Sequence, residues 1–101
     1  MFGMHGCINA HPGQGEALAA ILLEAAAAAE NDDSCLLYFV SRSLDDDDAI
    51  WVTEAWTDRA AHVAALENEA TRATIARARP LIAGFSGRSE FRPVGGKGLD
   101  A

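Results

Sequence analysis

His62 is the side chain best suited to moving a proton: an imidazole titrates near neutral pH, so it can act as general base or hydrogen-bond partner. Its plainer role would be a helix residue bonded to a sheet edge or to another subunit. Trp56 could stack on an aromatic ligand or simply pack in a core. His5 and Asn9 stand two positions either side of Cys7 and share one face of an extended segment. They could project polar groups into a pocket and orient a substrate, or meet polar neighbours across a sheet. Phe39 would line such a pocket, and Tyr38 could offer it a phenol or pack. Trp51 falls on the opposite face from Trp56 and reads as interface or core.

Other residues invite chemistry and do not support it. Three histidines, two cysteines and 15 carboxylates suggest a metal, but no C-x-x-C or H-x-x-x-H spacing is present, so no metal site is expected. Asp45 to Asp48 lack the alternating ligands and turn glycine of a calcium loop and read as a solvated hairpin loop. Cys7 and Cys35 read as two buried thiols rather than a disulfide. His11, beside a turn, reads as solvated. Arg72, Arg77 and Arg79 suit surface carboxylates better than a phosphate.

The 101 residues suit one domain with a modest core. Half are hydrophobic and 23% are charged, as in a folded globular chain. A net charge of −7 with scattered basic residues argues against nucleic acid and against an anionic membrane surface. No segment has the apolar length of a membrane span. The first 13 residues lack the basic and apolar regions of a signal peptide, so the expected location is the cytoplasm.

The elements that would position these residues follow from periodicity. Ile50 to Thr57 alternates as a strand, with Ile50, Val52, Glu54 and Trp56 on one face, and runs into a helix that Thr57 and Asp58 can cap. Phe2 to Ala10 is a first strand, broken by Pro12 and Gly13. A helix over 14–29 follows, striped by Leu18, Ile21, Leu22 and Ala25, and its alanine run would let it lie close against a sheet. Residues 34–42 form a second strand with two apolar faces, which needs cover on both sides. Helix is expected over 58–66 and again from 70 or 71 to 83, where Pro80 kinks it or splits off a last turn and Gly84 ends it. A last strand spans 85–94, with Phe85, Gly87, Ser89 and Phe91 alternating with Ser86, Arg88, Glu90 and Arg92. The order is the α+β, ferredoxin-like split βαβ arrangement: a four-stranded antiparallel sheet with helices on one face. There is helix for one face only, so a second copy is expected on the other, giving a homodimer built as an α+β barrel. The domain would cover residues 1–94, and 95–101 would be a fraying glycine-rich tail.

EAWTDRAAHVAAL followed by ATIARARPLIAGF resembles the antibiotic-biosynthesis monooxygenase domains, often described as quinol monooxygenases. The resemblance rests on Glu54 and Trp56 ending a strand, Asp58 opening a helix, Ala61-His62 within it, Arg79-Pro80-Leu81-Ile82 before Gly84, and Pro12-Gly13 after the first strand. It spans about residues 2–94 and implies a dimeric ferredoxin-like barrel. It also implies, for some members, oxidation of phenols or quinols by O2 with no metal, flavin or haem. The chain departs from the broader pattern in having no histidine near Ala65 or Glu69. Haem-degrading relatives use an asparagine, tryptophan and histidine set; no histidine sits in the later helix here, which argues against that role.

Two functions follow as expectations. One is a cofactor-independent monooxygenase acting on a small electron-rich aromatic and O2. In it His62 handles the proton, Trp56 and Phe39 line the pocket, Asn9 or His5 orients the substrate, and Tyr38 is a further contact. The other is a non-catalytic dimeric module that binds a small ligand or serves in stress.

Overall fold

The computed structural model describes residues 1–99; the end of the expected tail, residues 100–101, lies outside them. The elements in order are β1 (Phe2–Ala10), α1 (Gly15–Ala29), β2 (Cys35–Arg42), β3 (Ala49–Trp56), α2 (Arg59–Glu67), α3 (Glu69–Ala78), a 3-10 turn (Arg79–Leu81) and β4 (Ile82–Phe91). The strands pair antiparallel in the order β2-β3-β1-β4, with β1 and β3 central. This is the ferredoxin-like α+β arrangement expected from the order of elements.

Register decides which side chains meet. Met4 pairs with Glu54, and Glu54 with Tyr38, along one row. The next row joins His5, Thr53 and Phe39. Because strand side chains alternate, the first row lies under the helices and the second faces away. The core forms on the helical side from Leu18 and Leu22 of α1, Ala10, Ile50 and Val52 of the sheet, and Ala78 of α3. Leu18 and Ile50 are fully buried. On the opposite face Phe39 and Phe91 remain 47% and 39% exposed.

Three local features position the site. Asp58 caps α2, its Oδ1 accepting from Ala61 N at 2.8 Å, which places His62 in the first turns of that helix. Asn68 adopts extended backbone between α2 and α3 and caps the second helix through Ala70 N at 2.8 Å. Asp48 anchors α1, its carboxylate accepting from Gly13 N at 3.1 Å and Gly15 N at 2.9 Å, where free N–H groups favour an anion. A β-carbon at residue 15 would run into the Asp47 carbonyl, so this close docking requires glycine. The acidic loop is therefore partly structural rather than only solvated.

The last third of the chain departs from the expected boundaries. The second helix of the pair ends at Ala78, because Pro80 has no N–H to donate, and the chain takes one 3-10 turn. Strand then begins at Ile82 rather than Phe85, and Gly84 sits within it opposite Asn9 instead of ending a helix. A bulge follows: Cys7 pairs with Ser86 but His5 with Ser89, so β4 holds one extra residue. Gly87 absorbs it at φ +61°, with the Trp51 ring packed where a side chain would stand. The bulge shifts the phase of the strand. Phe85, beside Ile8, faces the helices, whereas Ser89 and Phe91 face away; Arg88 is turned to the helical side.

Candidate functional site

Between the sheet and the three helices lies a cleft of about 650 Å³, within the size range of small-molecule sites. Met4, Ile8, Tyr38, Val52 and Trp56 form its floor. Ala25, Ala28 and Ala29 of α1 and Ala65 of α2 form part of its walls, with Ile75 and Ala78 of α3. The alanine run thus does more than bring a helix close: its short side chains leave the space a ligand could fill.

Three of the polar side chains lining this largely apolar space cluster around Trp56. Glu54, on β3, has a side chain 13% exposed. Its Oε1 accepts a hydrogen bond from Trp56 Nε1 at 3.0 Å. Burial pushes its carboxyl above the ordinary value, against the lowering influence of that indole bond and of the Arg88 charge. His62, 7% exposed, lies between the rings of Phe2 and Trp56, with centroids 5.5 and 5.7 Å away. Burial and the Arg88 charge hold its pKa below the ordinary value, against the raising effect of Glu90, so the imidazole is neutral at neutral pH. Its Nε2 stands 3.7 Å from Glu54 Oε1, beyond hydrogen-bond distance. Tyr38 is the third group; burial, with the nearby Glu54 charge, raises its phenol and keeps it protonated.

Charged groups flank this cluster. Arg88 donates to Glu90 Oε2 at 2.8 Å, Glu90 Oε1 accepts from Arg59 at 2.8 Å, and the Arg59 guanidinium lies 4.6 Å from the centre of the Phe2 ring. The ladder ties β4 to the start of α2 beside His62. Among the described residues no three His, Cys, Asp or Glu side chains converge as metal ligands would. The arrangement can shelter a flat apolar molecule against Trp56, accept a proton or hydrogen bond from it, and keep bulk water away.

The structure brings together three of the side chains expected in the pocket: His62, Trp56 and Tyr38. It places His5, Asn9 and Phe39 on the other side of the sheet, because each is one residue out of phase with Met4, Ile8 or Tyr38. His5 packs near Trp51 and Phe91, at 6.0 and 5.6 Å between ring centres. Asn9 donates to Ser86 Oγ at 3.1 Å, the cross-sheet partner that was the alternative to a pocket role. Glu54 was missed as a site residue, although its carboxylate stood in the same row as Ile50, Val52 and Trp56. Arg88 was missed because simple alternation does not reveal the bulge.

Residues 1–77 match the family model of the antibiotic biosynthesis monooxygenases. Among solved structures, a Chloroflexus aurantiacus J-10-fl protein assigned to that family is 41% identical over 98% of both chains, with a TM-score of 0.88. A Deinococcus radiodurans protein of the same assignment is 22% identical over the whole of both chains, with a TM-score of 0.82. SnoaB, a cofactor-independent oxygenase from Streptomyces nogalater, is 17% identical over 95% of each chain, with a TM-score of 0.79. The last two likenesses concern the fold. No curated protein matches the chain. On the family match and the likeness to the Chloroflexus protein, this chain belongs to the antibiotic biosynthesis monooxygenase family.

Proposed function

We propose that the protein oxidises a small electron-rich aromatic, a quinol or phenol, with O2 and without a prosthetic group. The observation that carries this reading is the cleft itself: Trp56 lies beside an uncharged imidazole and a carboxyl group in a space sized for such a molecule. SnoaB, a cofactor-independent oxygenase on the same fold, supports it. Loss of the hydroxyl proton to His62, coupled to electron transfer, lets the ring reduce O2 without a free anion standing in the cleft. In a monooxygenation of a phenol to a quinone the substrate loses two hydrogens, one from the ring carbon and one from the hydroxyl, and the ring carbon gains one oxygen atom; the second oxygen leaves with those hydrogens as water. The chain's own contribution is a face to stack on at Trp56, a proton acceptor at His62, a donor at Tyr38 and exclusion of water.

Two copies are proposed to pair through the open sheet face, where Phe39, Trp51, Phe91, His5 and Asn9 lie. These side chains then serve the interface rather than the cleft. No helix among the described residues is long and apolar enough to cross a membrane.

Oxygen uptake on a panel of quinols and anthrones tests the reading. Consumption well above the autoxidation rate is expected, and His62→Ala should lower it roughly 100-fold while circular dichroism stays unchanged. Consumption at the autoxidation rate across the panel would favour a ligand-binding module instead. Full activity in His62→Ala would remove that residue from the mechanism.

A further inference from the structure

We infer that Glu54 is the group that recognises the ligand, accepting a hydrogen bond from an aromatic hydroxyl, so that the cleft selects hydroxylated aromatics in their uncharged form. The inference rests on the reading of the cleft as an aromatic site, and adds which residue reads the ligand and in which protonation state.

A carboxylate has acceptor capacity for about four hydrogen bonds. Glu54 uses one, from Trp56 Nε1 to Oε1. Among the described residues no other side-chain hydrogen bond reaches it; since no fully buried side-chain oxygen lacks a partner, Oε2 is accessible, and Glu54 lines the cleft. An accessible acceptor with this much spare capacity, in an otherwise apolar cleft, is met by water or by a ligand. The same indole that fixes the carboxylate also presents a flat face, so one pair of residues can stack a ring and take up its hydroxyl.

The charges around Glu54 decide which form of the ligand wins. From β2 it is faced by Tyr38 and Cys35, both held protonated, the thiol by burial above all. From α2 it is faced by the neutral His62, and Asp32 after α1 adds a second carboxylate to the cleft wall. The wall contributed by α3 is Thr71, Thr74, Ile75 and Ala78, without charge. Only β4 brings a cation, Arg88, whose side chain is 59% exposed and already engaged by Glu90. Solvent screens an exposed guanidinium far more than a buried carboxylate. An anionic ligand therefore meets net repulsion at depth, whereas a neutral hydroxyl finds an unfilled acceptor.

The test uses 4-nitrophenol, whose phenolate is yellow and whose neutral form is not, titrated with the full-length protein across pH. The fraction of yellow phenolate in the bound probe should fall about tenfold below that of free probe at the same pH. In Glu54→Gln that suppression should vanish, and affinity for the neutral probe should weaken about tenfold. Bound probe more yellow than free probe would overturn the inference and make Arg88 the dominant group. So would an unchanged colour and affinity in Glu54→Gln. The wild-type titration decides the matter even if the variant folds poorly. Absence of any binding at millimolar probe would overturn the aromatic cleft itself, a failure distinct from binding the anion.

Discussion

At the scale of single residues, Glu54 and His62 carry opposite burdens. Burial raises the Glu54 carboxyl above its ordinary 4.5, so its proton costs the folded chain nothing in acid and becomes costly to lose as pH rises through the folded value. Burial lowers His62 below 6.5, so its contribution runs the other way: stability is lost as pH falls from 6.5 through the folded value. Glu54→Gln should therefore melt higher than wild type at pH 8 and nearly the same at pH 4, as read by calorimetry. An equal change at both pH values would mean that burial of the charge is not the cause. The roles of these two residues were unequally legible. His62 stands out in a sequence with three histidines, and its position on a capped helix is readable. Glu54 was readable as a carboxylate in an apolar row, but its hydrogen bond to an indole two residues away depends on side-chain geometry that periodicity does not carry.

At the scale of elements, the site depends on where helices begin. Asp48 reaches from the β2–β3 loop to the start of α1 and holds both Gly13 N and Gly15 N. Asp48→Ala should destabilise the fold by about 1 kcal/mol in urea unfolding, the usual effect of losing a capping carboxylate. An unchanged midpoint would make the loop merely solvated, as its composition suggests. Four strands, the hairpin pairing of the second with the third and the first two helices were readable from alternation, the acidic loop and capping residues. The end of the chain was not, for two physical reasons. Ala83 and Gly84 fit a helix terminus as well as a strand, and the tie is broken by Leu81 and Ile82 packing against the core. The extra residue at Gly87 changes the phase of β4, and no local sequence signal shows on which side of it Arg88 will fall.

At the scale of the molecule, one layer of helices covers one face of the sheet and leaves the other carrying Phe39 and Phe91. Burial of such a face contributes roughly 25 cal/mol per Å² of apolar area, enough to favour association when two flat faces meet. Sedimentation at micromolar concentration should therefore give a dimer, and Phe39→Asp should shift it to monomer. A wild-type monomer would leave the open face without its proposed cover. The expectation that one pocket gathers every candidate side chain was wrong in a way the same geometry explains. A sheet has two faces, and His5, Asn9 and Phe39 lie on the one that the helices do not cover. The proposed aromatic site lies on the helical side, against Trp56. The chain has two tryptophans, one on each face, so each indole N–H reports on one side of the sheet. A proton–nitrogen correlation spectrum recorded while a non-reactive phenol is added should move the Trp56 indole signal and leave that of Trp51 in place. Movement of the Trp51 signal alone, or of neither, would contradict it.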